Sequence, residues 1–167
     1  MKKGLADIFE VDSVAKTLAL CVLTIGAYLI FKLYQFSNSI NQKTEHRIPN
    51  VFIVITIFLF TISLGSLIYG LVNLNEPTIL RSSIGIHVVS SIFDVTWIIL
   101  VRNRINLIAG SNRGDKLWLN PFITSIFHVI YMQHKINQGL ATSQYNKQIM
   151  AGRTNNVRPI FEALCDS

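Results

Sequence analysis

Charge is what this sequence has least of. Only 14% of its 167 residues are charged, where a soluble domain carries about 25%. That deficit excludes an ordinary water-facing surface over the whole chain. Cysteine is nearly missing. Cys21 lies in an apolar run and Cys165 in the tail, which excludes a disulfide framework and any cysteine-based metal spacing. Proline is scarce, and none of the four falls in the middle of an apolar run. There is no phosphate-binding G-x-x-x-x-G-K loop, no G-x-G-x-x-G, no H-E-x-x-H, no C-x-x-C and no G-x-S-x-G. Soluble-type catalysis, a cofactor and a metal centre are therefore not expected. "GSNRGDK" (Gly110 to Lys116) has glycines and basic residues but lacks phosphate-loop spacing, and reads as a surface loop.

Long apolar runs account for the missing charge. Half of the residues are hydrophobic, and the mean hydropathy is +0.42. Four segments approach the roughly 20 residues that a membrane-spanning helix needs. They cover about 14–36, 50–74, 82–101 and 117–135, and the fourth is the shortest. The prolines agree with helix starts, where a missing N–H costs nothing. Pro49 and Pro77 precede the second and third runs, and Pro121 follows Asn120 at the start of the fourth. Leu5, Ile8 and Phe9 share a helical face before the first run, which predicts a short helix lying on the membrane surface. From Gln138 onward the chain turns polar and rich in Asn and Gln, and reads as a loosely ordered tail that a soluble partner could order. The expected fold is all-α: an integral membrane protein whose residues 1–137 form a four-helix transmembrane bundle, preceded by an interfacial helix and followed by a polar C-terminal tail over 138–167.

The net charge of +6 lies mostly between the apolar runs. Arg102, Arg104, Arg113 and Lys116 are candidates to meet lipid headgroups or a partner. No basic stripe lies on a soluble element, so nucleic acid is not an expected partner. The positive-inside rule barely separates the two orientations of four spans. The weak preference is for both termini in the cytoplasm, in a bacterial inner membrane.

One stretch breaks the apolar pattern. In "HVVSSIFDVTWIIL" (His87 to Leu100), Asp94 stands well inside the third run. Helical residues advance by about 100° each. Ser83, His87, Ser90, Ser91 and Asp94 thus form one polar face, which should meet protein or water rather than lipid. The fourth run carries a comparable face of Thr124, Ser125, His128, Tyr131 and Lys135. Its short connection to the third makes the two neighbours, so an Asp94–Thr124–His128 group is expected between them. Lys32 is the other deep charge, placed either to pair with Asp94 or to reach the interface. Two readings of this network stand: polar glue between helices or subunits, which is preferred, and an ion or proton path lined by Asp94, His87 and His128. Ser63, Ser66 and Gly70, with Gly65 nearby, form a small-residue face on the second run suited to close helix packing.

"LTIGAYLIFKLYQFSNSIN" (Leu23 to Asn41) resembles the first span of small bacterial multi-spanning membrane proteins classed together as a domain of unknown function. The matching residues are Thr24, Ile25, Gly26, Tyr28, Lys32, Tyr34, Ile40 and Asn41, and "IYMQHKINQ" (Ile130 to Gln138) is similar to the end of that family's last helix. The resemblance covers about a quarter of the chain and implies membrane residence without an activity. The acidic third run and the long tail depart from the pattern. Ile-Asn also recurs, as Ile40-Asn41, Ile105-Asn106 and Ile136-Asn137, each closing an apolar segment. A shared way of leaving the membrane is preferred over a true repeat.

These features lead to an expected function as a self-associating integral membrane subunit that anchors or senses for a larger assembly, with membrane lipids, further copies of itself and a tail-bound soluble protein as partners. A small homo-oligomeric ion channel or membrane-permeabilising effector lined by the Asp94 face is the alternative. A membrane-embedded lipid-modifying enzyme is the third.

Overall fold

A computed structural model describes residues 4–24, 26–73 and 76–165, with 151–165 and Pro77 as backbone only. Ile25, Leu74 and the last two residues of the expected tail lie outside the described residues. Every regular element among the described residues is a helix: α1 (Leu5–Ile8), α2 (Val14–Leu23), α3 (Ala27–Lys43), α4 (Asn50–Val72), α5 (Pro77–Ala109) and α6 (Pro121–Cys165).

The expected first span is not one helix. Ser13 caps α2, accepting from the Lys16 amide, and α2 ends after ten residues, a rise of about 15 Å. The chain turns through Gly26, whose φ of +85° suits a residue without Cβ. In a continuous helix, Asp12 and Lys32 would stand about 30 Å apart. Instead Lys32 Nζ meets Asp12 Oδ2 at 2.5 Å. That pairing requires α2 and α3 to lie side by side as a hairpin.

Helices α4 and α5 form the long hairpin, and they are the two helices among the described residues that are long and apolar enough to cross a membrane. They pack closely where α4 is small. A Cβ on Gly70 would stand 2.9 Å from Ser83 Oγ. Phe52 stacks on Phe93 at the other end, with ring centroids 6.2 Å apart.

Helix α6 is folded as well. His128 has φ 46° and ψ −131°, outside the helical region. Leu117 lies 3.6 Å from the point where a Cβ on Gly139 would sit. A straight helix would hold Pro121 and Gly139 about 27 Å apart. The four residue-to-residue steps from Leu117 to Pro121 reach at most about 14 Å, so the helix must fold back at His128. The residues expected as a loose tail continue as helix to Cys165. The expected surface helix α1 turns Leu5 and Ile8 into protein, not lipid. Gly139 makes the room, because its missing side chain admits Leu5.

Three units result, and three asparagines join them. Asn41 donates to the Ile48 carbonyl at 2.9 Å and accepts the Ile48 amide at 2.7 Å. Asn106 accepts the Leu119 amide at 2.9 Å and donates to its carbonyl at 3.4 Å. Asn137 donates to the Asp12 carbonyl at 2.7 Å and accepts the Asp12 amide at 3.4 Å. Each gripped residue stands two places before a helix: α4, α6 and α2 in turn. Its amide and carbonyl lie outside the helix's own ladder, and a side-chain amide offers one group to each. The first unit therefore grips the second, the second the third, and the third the first, closing a ring. The isoleucine beside each asparagine is buried, as are the residues four and seven places before that isoleucine: Phe36, Val101 and Met132, then Leu33, Ile98 and Val129. The recurring Ile-Asn is thus one structural device used three times. Helices α3, α5 and α6 touch one another pairwise, and their equivalent apolar positions form a single core.

Candidate functional site

The polar face of α5 meets α4, not α6. Ser83 Oγ shares its one proton between the Ser66 carbonyl at 2.8 Å and the Ile79 carbonyl of its own helix at 2.9 Å. Ser63 Oγ and His87 Nδ1 share a hydrogen bond of 2.8 Å. The small-residue face of α4 and the upper half of the α5 polar face therefore close on each other, and each hydrogen bond needs the approach that the small residues allow. Ser91 Oγ turns back to the His87 carbonyl at 2.8 Å, a local bond that removes it from the seam.

Farther along α5 the seam is unfinished. Ser90 Oγ and Asp94 Oδ1 are buried with no hydrogen-bond partner among the described residues. The expected group with α6 is not assembled. Thr124 is fully buried, but its hydroxyl donates to the Asn120 carbonyl of its own helix start. His128 Nδ1 is also buried without a described partner, at the residue that folds α6. The structure brings together Ser83, His87 and the α4 serines, sets the Ser90 hydroxyl beside the Asp94 carboxylate one turn on, and ties neither of them to His128 by a hydrogen bond.

Lys32 does not pair with Asp94; its partner is Asp12. Its side chain is only 4% exposed, and Asp12 holds it at 2.5 Å, with the Phe36 ring 5.5 Å away. Asp12 is itself fixed: its Oδ1 accepts the Ser13 amide, and Asn137 grips its backbone. The hydrogen bond from Lys32 is the main influence holding the Asp12 carboxyl below its ordinary range, because it favours the charged form. Lys43 completes the joint, donating to the Ile8 carbonyl at 3.1 Å. Sequence reasoning took Asp12 only as a candidate cap of the first run and did not place it or Lys43 at this joint. The one available signal was Asp12 itself, an acid directly before an apolar run.

The basic residues expected in the loop divide, and Arg102 and Arg104 lie within α5, which runs on to Ala109. Arg102 Nε donates to the Leu119 carbonyl at 2.8 Å and its guanidinium lies 5.6 Å from the Trp118 ring centre, so it braces the loop. Arg104 Nε is buried without a described partner. Arg113 and Lys116 stand exposed on the loop. No group of three or more His, Cys, Asp or Glu residues that could hold a metal ion occurs among the described residues. No family model, curated protein or solved structure matches this chain.

Proposed function

We propose that this chain is an integral membrane subunit that anchors an assembly and self-associates through the flanks of its long hairpin. One observation carries this reading. The apolar windows of α4 and α5 are only 17% and 22% buried. A core helix of a soluble protein would be enclosed, whereas these helices bury Thr56, Ser63, Ser83 and Ser90 and leave Val54, Phe58, Ile62, Val88 and Ile92 uncovered. Lipid or a second copy is the cover such a surface needs.

The membrane arrangement we infer is two full crossings and two shorter folded units, in place of four crossings. The contacts of Asp12, Lys43, Ile48, Leu119 and Asn137 tie the N-terminus and both basic loops to one end of the molecule. Arg81 is then the basic residue near the far end, and the positive-inside rule favours the ring end in the cytoplasm. The test is cysteine labelling in intact cells and in inverted vesicles, on single-cysteine variants lacking Cys21 and Cys165. Glu45→Cys and Arg113→Cys should label from the same side as the N-terminus, and Asn73→Cys from the other. Four crossings would put Glu45 and Arg113 opposite the N-terminus and overturn the arrangement. Release of the protein from membranes by alkaline carbonate would overturn the membrane reading itself.

The Asp94–Ser90 pair, to which neither α4 nor α6 adds a hydrogen bond, favours a second reading, a channel formed between copies. The apolar layers of the three-helix core fill the axis of one chain, so such a path would run along the α5 flank. Equal ion flux in liposomes containing no protein, wild type or Asp94→Asn would remove it.

A further inference from the structure

A cavity of about 350 Å³ lies under the segment that joins α1 to α2. Glu10 and Asp12 come from that segment, Lys32, Gln35, Ser39 and Lys43 from α3, and Gln133 from α6. Lys32 is buried, yet an ammonium carries three donors and only one of them is engaged, by Asp12. Lys43 meets a neutral carbonyl, which leaves its charge uncompensated at that contact. Gln35 and Ser39 add a side-chain amide and a hydroxyl without described partners. The lining carries two ammonium groups, Lys32 and Lys43, and two carboxylates, Asp12 and Glu10, so its formal charge sums to zero, with Glu10 exposed at the rim and both ammonium groups farther in. Its depth follows from the reading above, on which this inference rests. Helix α2 rises about 15 Å from the cavity to the turn at Gly26, about half the thickness of a bilayer's hydrocarbon core. With the turn near the midplane, the cavity falls at headgroup level.

We propose that this cavity binds a singly charged phosphate group, held by Lys43 and the free donors of Lys32, with Ser39 and Gln35 completing the contacts. A phospholipid phosphodiester and a free phosphate ion share that chemistry, and charge-assisted hydrogen bonds of this type are the strong ones.

The experiment uses the full chain in detergent micelles, with native mass spectrometry and thermal unfolding as readouts. The probes are phosphatidylglycerol, a diacylglycerol of the same chains, and sodium phosphate against sodium chloride at equal ionic strength. Wild type should retain one phosphatidylglycerol and no diacylglycerol. Lys43→Gln, which keeps a donor for Ile8, should weaken retention about tenfold. Gln35→Glu, an exposed change at the rim, should weaken it by repulsion. Binding of sodium phosphate alone, with the same dependence on Lys43, would support the site and assign it to the free ion. Equal retention of diacylglycerol, or wild-type retention by both variants, would overturn the proposal. Carbonate extraction of the same variants reads the membrane assignment separately, since a protein that loses the lipid yet stays in the membrane fails only here.

Discussion

Replacing Asn41 with alanine removes both hydrogen bonds that hold Ile48 before α4, at 2.7 and 2.9 Å. Each is part-buried, and a net contribution of about 0.5–1.5 kcal/mol per bond is typical, so the loss should be about 1–3 kcal/mol. Ile48 is only 1% exposed, and the water that could replace the asparagine has poor access, which favours the upper half of that range. The third bond, from Asn41 to Asn50 Oδ1, is exposed and adds little. Asn41→Asp is the sharper variant. It keeps the acceptor for the Ile48 amide but sets a carboxylate against the Ile48 carbonyl, and should be at least as damaging as alanine. The neighbouring Gln42→Ala, on the exposed side, should change stability by less than about 0.5 kcal/mol. Unfolding in mixed micelles, followed by helical circular dichroism and by fluorescence of the buried Trp97, measures all three. If Asn41→Ala matches Gln42→Ala, or if Asn41→Asp matches wild type, the clamp contributes nothing and the ring is a coincidence of spacing. Asn106→Ala and Asn137→Ala should follow with somewhat smaller losses, since one bond of each pair is 3.4 Å long.

His128→Gly should raise stability by about 1 kcal/mol: it relieves a positive-φ strain of about 1–3 kcal/mol and removes a buried nitrogen without a described partner, against a glycine entropy cost of about 0.5–1 kcal/mol. A lower unfolding temperature would refute that. Asp12 is depressed in the folded state, so its contribution should be fully present above its unfolded pKa of about 3.9 and lost as pH falls through the lower folded value. The stability gap between wild type and Asp12→Asn should therefore be constant from about pH 5 to 8 and narrow below about pH 4, and a gap unchanged down to pH 2 would sink the assignment. Gly70→Leu should force α4 and α5 apart and abolish the Ser83–Ser66 bond, because even a Cβ there meets Ser83 Oγ at 2.9 Å. Cross-linking between Ser66→Cys and Ser83→Cys should fail in that background and succeed without it.

Composition and periodicity determined the class. Low charge, long apolar runs and prolines at their starts dictate helices, and α4 and α5 fall where the second and third runs lie. That Ser83 and His87 would find polar partners was also legible, because a polar stripe on an apolar helix has to meet a polar surface. Its partner was not. Sequence adjacency pointed to the fourth run, while the facing surface is α4, where serines and Gly70 allow the close approach. The first and fourth runs show why hydropathy stops short of topology. A window sum cannot register a turn at Gly26 or a fold at His128, since one residue's φ reverses the chain without altering the apolar content around it. The three Ile-Asn pairs were visible as letters, but their work depends on which backbone each asparagine reaches across the molecule. Lys32 was likewise visible as a deep charge, and only the hairpin decided that Asp12, twenty residues earlier, would be its partner.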